Sequence, residues 1–269
     1  MNIPDQHAVA LHMVAQRLGL DARAMEPLAG GSRNHLYRVG QPPQAAAVRL
    51  AGEGDAQLGV FRDSEVLAQR AAAERELAPR VLYVSVADGV MADEWLPGQP
   101  WERAEASRPE RIRDIAQWLQ SLHAVPAPSQ LHRVDFLDSL LAYCGWAGPE
   151  RVPLSLVSDA RRWHAELGPV VRRVLCHHDL HHSNILGTGA AVAVVDWEYA
   201  GLGDPVMDLA SYASYHQLDD DATRLLLGCY GGTRGITLER LAIARRLFEA
   251  VSRAWVEVMA LCGALKKQS

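Results

Sequence analysis

The chain has 269 residues, a length that suits one large domain or two lobes. Hydrophobic residues make up 49% of it and charged residues 22%, so the composition excludes a disordered chain. The 27 basic and 32 acidic residues give a formal charge of −5, which does not favour a dedicated nucleic-acid binder.

The N-terminal residues and the cysteines predict the cellular compartment. The first 20 residues lack a basic start and a continuous apolar stretch, so we expect no signal peptide. No apolar run approaches the roughly 20 residues that a membrane-spanning helix needs. The four cysteines are far apart, which disfavours a disulfide framework. These features predict a cytoplasmic protein without a membrane or nucleic-acid partner, and they leave its oligomeric state open.

The first third of the chain shows both helical and strand-like patterns. Apolar residues between positions 11 and 18 are spaced as on one helix face, and Gly19 is expected to end that helix. Next, strands are predicted at residues 35–39 and 45–50, and a helix over roughly residues 56–76. Asp88 and Gly89 stand between two apolar runs, a pattern that predicts a β-hairpin over residues 80–96.

After residue 96 the pattern becomes mainly helical. Ser107 and Glu110 form an S-x-x-E pattern, which predicts a helix start with a capping box. The last helix is predicted to begin near Thr237. The sequence therefore predicts an α+β, bilobal protein. A small β-rich lobe at residues 1–95 is followed by a larger, mainly helical lobe at residues 96–269.

The segment CHHDLHHSNIL, residues 176–186, holds four histidines and one aspartate within positions 177–182. A metal cage is one hypothesis, because histidine and aspartate are zinc ligands. Adjacent histidines point in different directions, however, and the segment is predicted to be a loop between strands. A helical zinc site needs two histidines one turn apart on a helix. A histidine-dependent metallohydrolase is therefore kept only as an alternative.

Three residues in and after this segment favour phosphoryl transfer. Asp179 and Asn184 are five positions apart, and Asp196 ends an apolar run 17 residues after Asp179. One carboxylate can accept the proton of an acceptor hydroxyl, while an amide oxygen and a second carboxylate can hold Mg²⁺ against nucleotide phosphates. Each residue alone could be a turn-former or a strand end. Their ordered spacing between apolar runs favours the chemical role.

Together with VVDWEYAGLGDPVMDLA, residues 194–210, the histidine-rich segment resembles the aminoglycoside phosphotransferase and choline kinase superfamily. That superfamily is a branch of the protein-kinase-like fold. The two segments are most similar to the corresponding motifs of bacterial choline or ethanolamine kinases and of thiamine kinases. The resemblance implies a bilobal protein-kinase-like fold and an enzyme that uses ATP and Mg²⁺ to phosphorylate a small molecule.

The resemblance also implies roles for individual residues. Asp179 would be the catalytic base, and Asn184 and Asp196 would be Mg²⁺ ligands. His177 would support the catalytic loop, and Asp208 would brace it.

The first lobe contains candidates for binding the nucleotide. Arg49 lies on the strand that carries a lysine in protein kinases, and a guanidinium can bind the α and β phosphates. Glu65 interrupts an apolar helix face and is expected to pair with Arg49, or else to reach water from the edge of that face. The candidates in a phosphate-covering loop, which could also be an ordinary hairpin turn, are Gly30, Gly31, Ser32 and Asn34. The candidates beside the adenine are Glu94, Trp95 and Leu96.

The balance of seven Trp and seven Tyr against three Phe favours a cationic substrate, because aromatic faces attract cations. The candidates for substrate contacts are Glu198, Tyr199, Tyr212, Tyr215 and Trp255. Trp255 lies on the buried stripe of the last helix and also fits a core role, and Glu198 could instead reach the metal or solvent. The resemblance, together with these aromatic residues, implies a kinase for a choline-, ethanolamine- or thiamine-like metabolite. An aminoglycoside or sugar kinase is an alternative, because positions 219–221 carry acids, although these acids could equally mark a solvated helix start. A nucleotide-binding pseudokinase is another alternative.

Overall fold

The computed structural model describes residues 3–28, 33–231 and 236–265. The chain divides into two compact units. The first unit contains residues 1–53 and 78–98, and the second contains residues 54–77 and 99–269. Residues 54–77, which the sequence pattern assigned to the first lobe, therefore group with the second unit.

In the first unit an antiparallel sheet packs against one helix. Its elements are α1 (Asp5–Leu18), β1 (Met25–Pro27), β2 (His35–Gln41), β3 (Gln44–Leu50), β4 (Val81–Ser85) and β5 (Val90–Glu94). In the described part of the chain, five strands form this sheet in the order β1-β2-β3-β5-β4. Leu11 and Val14 of α1 are buried in one core with Val48 of β3. Gly19 ends α1 and Gly89 turns the β4–β5 hairpin, both with positive φ, as predicted.

The second unit is mainly helical. Its helices are α2 (Asp55–Leu58), α3 (Arg62–Ala73), α4 (Arg103–Ala106), α5 (Pro109–His123), α6 (Phe136–Ala147), α7 (Leu154–Leu167), α8 (Pro205–Tyr215), α9 (Asp220–Tyr230) and α10 (Leu238–Leu265). Its short strands are β6 (Val174–Cys176), β7 (Ile185–Leu186), β8 (Ala193–Val194) and β9 (Gly201–Gly203), paired β6 with β9 and β7 with β8. These elements confirm the predicted α+β class. Among the described residues, no helix is both long and apolar enough to span a membrane.

The grouping of α2 and α3 with the second unit has a direct cause in hydrogen bonds. Tyr143 on α6 donates its hydroxyl to the carbonyl of Leu58 at 2.9 Å. Ser64 on α3 accepts the backbone N–H of His132 at 3.0 Å. Both contacts join groups that are far apart in sequence, so neither could be inferred from local spacing.

Two helix boundaries differ from the sequence predictions. The single helix expected over residues 56–76 is divided, because Gly59 takes a φ of +69° and ends α2. α5 begins at Pro109 without a side-chain cap, so the expected capping box at its start is wrong. Proline at the first helical position has no N–H that needs a partner. A capping box is present at α4 instead, between Glu102 and Glu105.

Candidate active site

The loop between β6 and β7 is held by a single buried carboxylate. The backbone N–H groups of His177 and His178 donate to the two oxygens of Asp208, at 3.0 and 2.6 Å. His123 lies 3.0 Å from the same carboxylate through Nε2. Burial acts to raise the pKa of Asp208, but the hydrogen bond from His123 and the neighbouring imidazoles hold it at about 2. Asp208 is therefore ionised and braces the loop.

One face of α8 makes three contacts to this loop. Asp208, Ser211 and Tyr215 occupy positions i, i+3 and i+7, which lie on the same side of a helix. Ser211 accepts the N–H of Leu180 at 3.0 Å. The hydroxyl of Tyr215 donates to Oδ1 of Asp179 at 2.6 Å. Ser211 was missed by the sequence analysis, although its spacing from Asp208 was a usable signal.

His177 links the loop to the chain that follows β8. Its Nε2 lies 3.1 Å from the carbonyl oxygen of Val195, and its Nδ1 accepts the N–H of Asp179 at 3.3 Å. A carbonyl can only accept and a backbone N–H can only donate, so the imidazole is neutral with its proton on Nε2. Burial lowers the pKa of His177 to about 4, which agrees with a neutral ring.

Asn184 and Asp179 form a hydrogen-bonded pair. Nδ2 of Asn184 donates to Oδ2 of Asp179 at 3.0 Å and to its backbone oxygen at 3.1 Å. Because both partners are acceptors, the amide oxygen of Asn184 is turned away from Asp179 and can face a cation. Burial raises the pKa of Asp179, and the charge of Glu198 adds to this, while hydrogen bonds from Tyr215 and Asn184 oppose it.

The β7–β8 hairpin brings Asn184 close to the backbone that leads into Asp196. Ile185 pairs with Val194, and the next N–H, that of Val195, donates to the carbonyl of Asn184 at 2.9 Å. Asp196 follows with a φ of +64°, an uncommon conformation for a residue other than glycine. An amide oxygen and a carboxylate thus come from the same end of one hairpin. These hard oxygen donors fit Mg²⁺.

Arg62 connects three carboxylates within the second unit. It bonds Asp55 at 2.7 and 2.9 Å, Glu65 at 2.9 Å and Glu198 at 3.4 Å. Glu65 is only 1% exposed, so the alternative in which it reaches water is wrong. Its pairing with Arg49, a residue of the other unit, stays a prediction. The sequence analysis missed Arg62, which precedes Glu65 by three residues on the same helix.

Aromatic rings and carboxylates are grouped near Asp179. The indole N–H of Trp255 donates to the hydroxyl of Tyr199 at 2.7 Å. Burial and the charge of Glu198 raise the pKa values of both Tyr199 and Tyr143. Tyr143 was not among the sequence candidates, since nothing about its position on α6 distinguishes it from a core residue. Four of the five predicted substrate residues belong to this group: Glu198, Tyr199, Tyr215 and Trp255.

The remaining substrate candidate and the acidic run lie elsewhere. Tyr212 has no exposed surface, and its hydroxyl donates to the carbonyl of Ala106. Because Tyr212 is fully buried, the structure does not support its predicted contact with a substrate. Asp219 caps the N-terminus of α9, and the two aspartates after it pair with Arg224 on the surface. The acidic run is thus part of a helix start, as its alternative explanation proposed.

The loop histidines do not point toward one common metal position. Nδ1 of His178 is bonded to a backbone carbonyl and Nδ1 of His181 to a serine hydroxyl, at 3.0 and 2.9 Å. Among the described residues, one group brings three potential ligand atoms within 4.8 Å of one another: His123, Cys176 and Asp208. Burial raises the pKa of the Cys176 thiol well above its usual value, and the Asp208 carboxylate is already bonded to two backbone N–H groups and to His123.

The phosphate-binding candidates of the first unit are only partly described. Gly30, Gly31 and Ser32 lie outside the described residues. Asn34 accepts the N–H of Gly52 at 3.2 Å through its side-chain oxygen. Arg49 is buried on β3, where one guanidinium nitrogen lies 3.5 Å from the sulfur of Met91. Phosphate binding at these positions stays a prediction.

The candidates for the adenine site lie at the end of β5. Glu94 forms an ion pair with Arg80 at 2.9 Å. Trp95 and Leu96 are half-buried, and the N–H of Trp95 lies 3.4 Å from a carbonyl of β3. The Glu94 carboxylate is thus engaged by Arg80, while contacts of these residues with adenine stay a prediction.

Comparison with known sequences identifies related proteins. The family model APH, described as the phosphotransferase enzyme family, matches residues 9–243. Thiamine kinase of Escherichia coli (strain SMS-3-5 / SECEC) is 27% identical over 186 residues, which cover 68% of this chain and 62% of the relative. The match therefore spans less than two thirds of the length of that thiamine kinase.

Comparison with solved structures finds proteins whose fold is similar to that of this chain over most of its length. Choline kinase LicA from Streptococcus pneumoniae has a TM-score of 0.80 at 19% identity, covering 95% of this chain and 91% of that chain. The structure of LicA in complex with AMP has a TM-score of 0.74 at 19% identity, covering 93% and 90%. At these identities the likeness shows the fold alone, and it confirms the predicted protein-kinase-like fold.

The Asp208→Asn substitution should lower the free energy of unfolding by about 3–5 kcal/mol, because it leaves a buried donor facing the loop N–H groups. Urea denaturation measures the loss. Ser211→Ala, which removes one neutral hydrogen bond to the same loop, should cost only about 1 kcal/mol. Equal losses in the two variants would contradict the bracing role of Asp208.

Stability should depend on pH through His177. Its pKa is about 4 in the folded chain, against about 6.5 for an exposed imidazole, so the unfolded chain binds more protons between these values. The stabilisation is complete above about pH 6.5 and decreases as the pH falls toward 4. In the wild type, this effect lowers the free energy of unfolding by up to about 3 kcal/mol as the pH falls. His177→Gln, whose amide can still donate and accept, should abolish that part of the pH dependence.

Urea unfolding at several pH values provides the measurement. The control is His12→Gln on the exposed side of α1, which makes the same substitution outside the loop. If both variants have the same slope of stability against pH, His177 is not the group responsible.

Proposed function

Because the chain belongs to the phosphotransferase enzyme family, we propose that it is an ATP- and Mg²⁺-dependent kinase of a small cationic metabolite. The observation that carries this proposal is the carboxylate of Asp179, whose oxygens are oriented by Asn184 and Tyr215. A carboxylate held in this way can accept the proton of a hydroxyl as that oxygen attacks the γ-phosphorus of ATP. The phosphoryl group then passes to the metabolite and ADP leaves.

Asn184 and Asp196 are the residues that would hold Mg²⁺ in this proposal. Their support is chemical, since each offers a hard oxygen at the same end of the β7–β8 hairpin. Bound Mg²⁺ would offset the negative charge of the phosphates. Arg49 would bind the phosphates with its planar guanidinium, the loop at residues 30–34 would cover them, and adenine would lie beside residues 94–96.

A cationic metabolite is supported by the aromatic group around Asp179. Tyr199 and Trp255, which are bonded to each other and only half-buried, would supply ring faces, which attract cations. Glu198 adds a buried carboxylate. Thiamine and choline, named for two of the similar proteins, both carry a quaternary nitrogen and a hydroxyl. We therefore place choline-, ethanolamine- and thiamine-like alcohols first among the acceptors.

ADP release over a panel of acceptors tests the proposed function. The panel contains choline, ethanolamine, thiamine, amino sugars and aminoglycosides, each with MgATP. Release stimulated by one of the first three supports the cationic metabolite. Release stimulated by an aminoglycoside or amino sugar alone would keep the kinase and overturn the substrate class. No release with any acceptor, together with no binding of ATP, would overturn the kinase.

The Asp179→Asn substitution should lower kcat by roughly 10²- to 10⁴-fold, because the amide cannot accept the proton of the acceptor. Calorimetric titration should give an unchanged Kd for MgATP. Asp135→Asn is the matched control: Asp135 caps α6, and asparagine caps a helix equally well. A kcat near wild type in Asp179→Asn would exclude Asp179 as the base.

A further inference from the structure

The last residue of α8 is bonded directly to the proposed base. The hydroxyl of Tyr215 donates to Oδ1 of Asp179 at 2.6 Å, a short distance typical of a hydrogen bond to a charged oxygen. The phenol ring packs edge-on against the rings of His181 and Phe248, with centroids 5.1 and 5.3 Å away. Ring packing and the helix backbone therefore hold the hydroxyl in place independently of Asp179.

We propose that Tyr215 is a positioning residue whose hydroxyl holds the carboxylate of Asp179 in the orientation that accepts the proton of the acceptor hydroxyl. This inference rests on the proposed kinase function. In this role the hydroxyl of Tyr215 binds Asp179 and does not contact the cationic substrate. Tyr215 therefore differs from the aromatic residues that would contact the substrate through their rings.

The geometry of the carboxylate explains why one donor is not enough. The terminal torsion of an aspartate side chain is broad, so a single hydrogen bond leaves the carboxylate free to swing. Asn184 holds Oδ2 at 3.0 Å, and Tyr215 holds Oδ1 at 2.6 Å. Two donors on two different oxygens fix the rotation. Each oxygen keeps a second lone pair, which remains for the acceptor hydroxyl.

The hydroxyl of Tyr215 is also set up as a permanent donor. Burial, the charge of Asp179 and the hydrogen bond to it all raise the pKa of Tyr215, so the phenol keeps its proton at neutral pH. Asp208 and Ser211, on the same face of α8, hold the backbone of the loop that carries Asp179. One rigid helix therefore positions both the loop and its reactive side chain.

Tyr215→Phe tests the role, because it keeps the packed ring and removes only the hydroxyl. We expect kcat for the preferred acceptor to fall roughly 10- to 100-fold, the loss of a hydrogen bond to a charged group. KM for the acceptor and Kd for MgATP should stay at their wild-type values. Slow ATP hydrolysis, in which water is the acceptor, should fall by a similar factor and needs no knowledge of the metabolite.

Tyr212→Phe is the matched control. It makes the same change one turn earlier on α8, where the hydroxyl donates to the carbonyl of Ala106 and the ring is fully buried. Both variants should lose some thermal stability, measured as Tm by circular dichroism. Only Tyr215→Phe should lose kcat, so a general loosening of α8 is distinguished from a change at the base.

The possible outcomes separate the two proposals. An active wild type with an unchanged kcat in Tyr215→Phe overturns the positioning role and leaves the kinase intact. A rise of KM without a fall of kcat also overturns it, because Tyr215 would then bind substrate. An equal fall of kcat in both variants assigns the effect to packing and overturns it too. A wild type that transfers phosphate to no acceptor and to no water overturns both.

Discussion

Two backbone N–H groups and one imidazole converge on the carboxylate of Asp208, which is completely buried. A buried charge without partners costs several kcal/mol, and these three contacts offset that cost only in one loop conformation. His178 takes a φ of +68° in that conformation. The unusual backbone is stabilised because both adjacent N–H groups reach the same carboxylate. The geometry of the whole loop thus depends on one ionised side chain.

The positions of Asp179, Asn184 and Asp196 depend on the conformation of that loop. The loop places Asp179 against Tyr215, and His177 ties the loop to the backbone beside Asp196. Asn184 begins the hairpin whose other strand leads to Asp196. The three residues of the proposed phosphoryl transfer are therefore located by one continuous set of hydrogen bonds.

The sequence predictions were correct where a structural feature depends on one residue and its immediate neighbours. The end of α1 at Gly19 and the hairpin turn at Gly89 were predicted correctly, because a positive φ is a local property of glycine. The break at Gly59 was missed, since a single glycine inside an apolar helical pattern is often tolerated. The capping box was predicted one residue too early, because α5 begins at Pro109 with Arg108 at the N-cap, so Ser107 does not occupy the capping position.

Tyr212 and Tyr215 show why the candidate site was only partly predictable. They lie one turn apart, so periodicity alone places both on nearly the same side of α8. Packing separates them: the hydroxyl of Tyr212 is bonded to the backbone of α4, and that of Tyr215 is bonded to Asp179. No local signal in the sequence distinguishes these two environments.

The amino-acid sequence by itself determined the order and chemical type of Asp179, Asn184 and Asp196, the first and last helices, the strands β2 to β5, and the family resemblance. These properties depend on residue identity and short spacing. The tertiary structure decided which groups are partners. It paired Arg62 with Glu198, which lies 136 positions away, and it directed the hydroxyl of Tyr215 to Asp179. Such contacts depend on how helices pack after folding, and local spacing carries no information about them.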